Sequence, residues 1–100
     1  MTRRVVITGM GIYSCIGKNK EEVLKSLFEG KSGIGIAPDR KEIGYRSSLC
    51  GILEKPNLKG MLDRRQRLCI PEHGQYAYLA TVEALAQAGI DNQFLTENEV

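Results

Sequence analysis

One hundred residues with 42% hydrophobic content make at most one globular domain and show no sign of disorder. A formal net charge of +2, with no basic helix interleaved with aromatics, argues against a nucleic-acid partner. The β-branched run near the N-terminus is too short for the apolar region of a signal peptide and no segment approaches a membrane span, so the composition predicts a cytoplasmic protein with no membrane partner.

The chain is organised around Arg3 to Gly17, RRVVITGMGIYSCIG. Val5, Val6 and Ile7 are bounded by charge before and glycine after, which predicts a strand buried on both faces in the middle of a sheet. Gly9 and Gly11 predict a chain leaving that sheet through positions needing positive φ or close backbone approach. A dinucleotide fingerprint would need glycine where Ser14 stands, a helix starting at once, and an acidic strand tip near Glu29, which instead falls in a helical pattern. A phosphate-binding loop would need a different glycine spacing and a Lys-Ser/Thr pair, whereas Gly17 is followed by Lys18 and Asn19. A structural turn fits these residues better than either cofactor site, and no cofactor is predicted.

Cys15, Cys50 and Cys69 are odd in number, widely spaced and without a CxxC pair, so they predict reduced thiols rather than disulfides or a zinc site. His73, the only histidine, reads as solvated or helix-terminal.

Asn19 to Gly30 predicts a helix, with Asn19 as N-cap, Glu22 completing a box-like arrangement and Gly30 at a left-handed C-cap. Val23, Leu24, Leu27 and Phe28 form an apolar stripe for packing on a sheet, and Glu21 and Lys25 are placed to pair outside it. Residues 31 to 60 are punctuated by glycine and proline and read as mostly loop, with Ser48 to Leu53 as a short edge strand.

Pro71 to Gly89 is the clearest predicted helix, with proline at its start and glycine at its end. Ala77, Thr81, Ala84 and Ala88 line one face with small side chains, which lets another element approach closely, while Tyr78, Val82 and Leu85 form an adjoining ridge and Glu83 points away. Asp91 to Val100 reads as helix exit and loop. One central strand without a second core strand leaves its ladder unpaired, so the chain reads as the beginning of a longer protein.

Taken in order, RRVVITGMGIYSCIG, the capped helix ending in EGKSGI, LDRRQR and QYAYLATVEALAQAG resemble the N-terminus of the β-ketoacyl-acyl carrier protein synthases, the condensing enzymes of fatty acid and type II polyketide synthesis. The resemblance covers nearly all 100 residues. It implies an α/β fold, in which residues 1–100 are an incomplete N-terminal part of the first half of a thiolase-like layered αβαβα architecture. It also implies acyl transfer to a cysteine, condensation with a decarboxylated malonyl-carrier unit, and a homodimeric enzyme. The family's nucleophilic cysteine and two histidines lie beyond Val100, so Cys15, Cys50, Cys69 and His73 inherit no catalytic role. A catalytically dead partner subunit of the same fold would look identical over these residues, and a nucleotide-binding oxidoreductase is the third reading, weakened by Ser14.

The resemblance further implies a carrier-docking role for Arg64, Arg65 and Arg67 in LDRRQRL, read as a loop before the long helix. Acyl carrier proteins are strongly acidic, and the family places basic docking residues at an Arg-Lys position that matches Arg65. The family's next basic position falls on Leu68, and its following methionine and aspartate fall on Ile70 and Pro71. The alternative is that Arg64 braces the loop through an internal ion pair and the other two are solvated.

Overall fold

The computed structural model describes residues 2–98. Five helices and two short strands follow one another as α1 (Lys20–Glu29), β1 (Ile34–Ile36), α2 (Pro38–Ile43), β2 (Leu49–Gly51), α3 (Arg64–Cys69), α4 (Glu72–Ala88) and α5 (Asn92–Glu97). The two predicted helices form as read. Asn19 caps α1 by accepting the Glu22 N–H, and Gly30 and Gly89 close α1 and α4 in the left-handed region. The Glu22 carboxylate reaches back one residue further than a capping box does, accepting the Lys18 N–H at 2.7 Å.

Residues 31 to 60 are mostly irregular, as read, but hold a strand and a short helix beside the predicted edge strand. The predicted edge strand is β2, and it pairs antiparallel with β1 in a register that sets Gly35 opposite Cys50. Between them Pro38 opens α2 at its first turn and Gly44 closes it at φ 86°. The expected loop after Asp91 is also a helix, because the Asp91 carboxylate accepts the Phe94 N–H at 2.8 Å and starts α5. The end of that predicted tail, Glu99 and Val100, lies outside the described residues.

Gly9 to Lys20 is laid along α4. Carbonyl groups of Ala80 and Ala84 stand where a β-carbon on Gly11 or Gly9 would fall, and neither glycine has positive φ, so both are there for space. Side chains of α4 then bind the segment's backbone: Met10 N–H donates to Gln87 Oε1 at 2.9 Å and Ile12 N–H to Glu83 Oε2 at 3.0 Å. Alternate amides of an extended chain lie about 6.6 Å apart, and residues four apart on a helix rise about 6 Å. Gln87 and Glu83 therefore present acceptors at nearly the spacing of a strand edge. The other Glu83 oxygen accepts the Lys20 N–H at 2.8 Å and ties the start of α1 to the same helix. Glu83 thus faces the packed side of α4, contrary to the expectation that it points away. The small-residue face is shifted accordingly, with Ala80, Ala84 and Ala88 half-buried and Ala77 and Thr81 exposed.

The turn between these anchors is closed by paired backbone hydrogen bonds between Ser14 and Gly17, and Tyr13 stacks on Tyr76 of α4 at 5.4 Å between ring centroids. Helix α1 turns Ser26 inward, where its hydroxyl donates to the Ile16 carbonyl. Leu24, Leu27 and Phe28 of its apolar stripe face solvent instead of a sheet, with Phe28 84% exposed, while Val23 is half-buried. Glu21 and Lys25 do not pair. Among the described residues the one ion pair joins Lys18 to Glu54 at 2.6 Å, in the open.

The expected central strand is not formed. Val5 and Ile7 are 93% and 91% exposed and hydrogen-bond to no strand, because β1 and β2 pair only with each other. Ala37 and Leu58 are the buried hydrophobic residues among those described, and the radius of gyration is 17.4 Å, against about 13 Å for a compact 100-residue domain. The elements are locally well specified around a core that they do not enclose by themselves.

Candidate functional site

The arginine segment is a helix rather than a loop. Asp63 caps it by accepting the Gln66 N–H at 2.7 Å, while Gln66 Oε1 accepts the Asp63 N–H at 3.1 Å, a complete capping box. The signal was present in the sequence as Asp63 followed three residues later by Gln66, and was missed because the arginines between them carry no apolar periodicity. Leu58, buried just upstream, anchors the approach: its carbonyl accepts the N–H groups of Met61 and Leu62 in a turn that passes through Gly60 at φ 90°.

Arg64 and Arg65 occupy the first turn of α3 and are exposed; Arg67 is half-buried and donates from Nε to the Asp63 carbonyl at 3.4 Å. No carboxylate lies within ion-pairing distance of any of the three among the described residues. The internal brace proposed for Arg64 is therefore not made. Cations in the first turn oppose the helix dipole, a cost of about 0.3–1 kcal/mol each at an exposed site. Local stability thus does not explain Arg64 and Arg65. At about 100° per residue, Arg67 lies about 60° from Arg64 on one side of it and Arg65 about 100° from it on the other, so Arg64 stands between the other two while Arg65 and Arg67 point to nearly opposite sides of α3.

The other sequence-derived candidates stay apart from one another. The thiols of Cys15, Cys50 and Cys69 are free; Cys15 sits where Gly33 and Gly51 leave room for its side chain, and Cys69 is exposed at the end of α3. His73 is exposed in the first turn of α4. Among the described residues no group of three metal-ligating side chains converges, and no helix is long and apolar enough to cross a membrane. The Ser14–Gly17 turn separates the glycine segment from α1, which begins only at Lys20, so the immediate helix start of a dinucleotide loop is missing.

Residues 2–100 match the sequence model of the family described as beta-ketoacyl synthase, N-terminal domain. The chain belongs to this family. It is 46% identical over 98 residues to 3-oxoacyl-[acyl-carrier-protein] synthase 1 of Haemophilus influenzae, covering 98% of this chain and 23% of that protein. It is 40% identical over 96 residues to the synthase 1 of Escherichia coli strain K12, covering 96% and 23%. With 3-oxoacyl-[acyl-carrier-protein] synthase 2 of Staphylococcus aureus strain COL the identity is 32% over 89 residues, covering 89% and 22%. The chain thus spans about a quarter of the length of the curated relatives it matches.

Proposed function

We propose that this chain is the N-terminal part of a 3-oxoacyl-[acyl-carrier-protein] synthase acting in fatty acid biosynthesis. The observation that carries the reading is the identity of 40–46% to two synthases of that name over nearly all of this chain. In such an enzyme a cysteine thiolate attacks an acyl thioester and takes the acyl group, releasing the carrier thiol. Loss of carbon dioxide from malonyl-carrier protein then gives a carbanion that attacks the enzyme-bound acyl carbonyl, forming the 3-oxoacyl carrier and regenerating the thiol. No residue of this chain is assigned to those steps.

The arrangement proposed for the whole protein is a thiolase-like layered fold, cytoplasmic and homodimeric, with residues 1–100 in its first half. Within it the contribution of this chain is carrier docking by Arg64 and Arg65, with Arg67 in a lesser part. Two exposed arginines without carboxylate partners, held on a capped helix against the helix dipole, support that role. Long-range attraction of an acidic partner acts mainly on association rate and weakens with salt. Carrier-protein binding by the intact enzyme carrying Arg65→Glu, measured at low and high ionic strength, tests it: the expected result is weaker binding at low salt and a flatter salt dependence, and unchanged low-salt affinity with the fold intact rejects it.

A further inference from the structure

Tyr13 touches two places that lie on either side of α3 in the chain. Its ring stacks on Tyr76 of α4, with 5.4 Å between centroids and 17° between planes, and its hydroxyl donates to the Glu54 carbonyl at 2.6 Å. The Tyr76 ring is itself tied to α4, since its hydroxyl donates to Glu72 Oε1 at 2.9 Å. One side chain therefore joins both ends of the stretch 54–76, which carries α3 and its arginines.

Other ties do not do this. Upstream, the Ile52 N–H donates to the Gly33 carbonyl at 3.0 Å, but that bond anchors the chain beside β1 and not to α4. Leu58 is buried, yet the bonds that follow it are local: Met61 and Leu62 donate to the Leu58 carbonyl, and Arg67 to the Asp63 carbonyl. Local bonds shape a turn and a helix without fixing where they sit relative to another element. The Lys18–Glu54 ion pair lies at the same end as the Tyr13 bond but is exposed, and such pairs contribute little. Joining the two ends of a loop removes conformational freedom from everything between them. The residue that does so here sits on the segment that Gln87 and Glu83 already bind to α4.

We infer that Tyr13 is a clasp that closes the 54–76 loop and so holds α3 in a fixed position relative to α4. It is a positioning residue. For carrier docking the clasp supplies pre-organisation, because a surface already held in place loses less freedom on association. That use rests on the docking reading above, whereas the clasp itself does not.

The test is hydrogen exchange of the intact protein, comparing wild type with Tyr13→Phe, which keeps the ring stack and loses the hydroxyl. Exchange in peptides from 55–70 is expected to quicken about two- to tenfold, the effect of one lost hydrogen bond on local opening, while peptides from α1 and α4 keep their rates. Carrier-protein affinity should fall by no more than that factor, and equally at low and high salt, since no charge changes. Unchanged exchange over 55–70 overturns the clasp, because the hydroxyl is the group that reaches Glu54. Exchange raised alike in α1, α4 and 55–70 makes Tyr13 a general packing residue and also overturns it. Raised exchange over 55–70 with unchanged affinity keeps the clasp and removes its part in docking. If exchange over 55–70 rises while Arg65→Glu leaves low-salt binding unchanged, the clasp stands and the docking reading fails.

Discussion

Gly11 lies directly against the backbone of Ala80: a β-carbon on residue 11 would overlap the Ala80 carbonyl oxygen. The obstacle is helix backbone, which cannot swing aside as a side chain can. Gly11→Ala must therefore push the extended segment off α4 and strain the hydrogen bonds made by Met10 and Ile12 on either side of it. We expect a loss of at least about 1–3 kcal/mol, the usual range for overpacking, read as a lowered thermal midpoint of the intact protein. An unchanged midpoint would show that the segment does not pack there.

Ala84 is half-buried on the helix whose backbone lies against Gly9 and Gly11, and Ala84→Leu is expected to cost about 1–3 kcal/mol. Its neighbour is no neutral control. Glu83→Leu leaves the Ile12 and Lys20 N–H groups without their acceptors, whereas Glu83→Gln keeps one oxygen able to accept and loses the other. The predicted order of melting midpoints is wild type, then Glu83→Gln, then Glu83→Leu. Finding all three equal would remove Glu83 from the packing of this region.

The two backbone N–H donors, Lys20 first and Ile12 second, hold the Glu83 carboxyl below its ordinary value of 4.5. A carboxyl with a depressed folded-state pKa contributes stability that is present above its unfolded pKa and lost as pH falls through the folded one. The midpoint difference between wild type and Glu83→Gln should accordingly hold near neutral pH and shrink below about pH 4.5. A difference that stays constant on acidification would contradict the role given to the charge. Glu54 is lowered by its hydrogen bond and charge attraction to Lys18, but both groups are exposed and the pair is screened, so Glu54→Gln is expected to change little at any pH.

Residues 1–100 on their own should unfold without a cooperative transition. Ala37 and Leu58 are too small a buried apolar set to offset the conformational entropy of ordering the chain, and Val5, Ile7 and Phe28 remain in water. Urea titration followed by circular dichroism should show a broad, shallow loss of helix. A sharp sigmoidal transition in a monodisperse monomer would refute this.

Local signals in the sequence decided the boundaries of α1 and α4, because Asn19, Gly30, Pro71 and Gly89 act through backbone groups within a few residues of themselves. The same kind of signal was available for α3 in Asp63 and Gln66 and for α5 in Asp91, and went unread where no apolar periodicity accompanied it. The ordered motifs from RRVVITG to the long helix were enough to point to the family. Tertiary structure alone decided that Gln87 and Glu83 bind amides more than sixty residues away and that β1 pairs with β2. The apolar runs show the difference most plainly. The composition of Val5 to Ile7 states that the segment can be buried on both faces, but burial needs neighbouring strands, and β1 and β2 are paired with each other. A cap is satisfied by its own helix, whereas a strand's hydrogen bonds and apolar faces are satisfied only by other elements that the folded protein brings beside it.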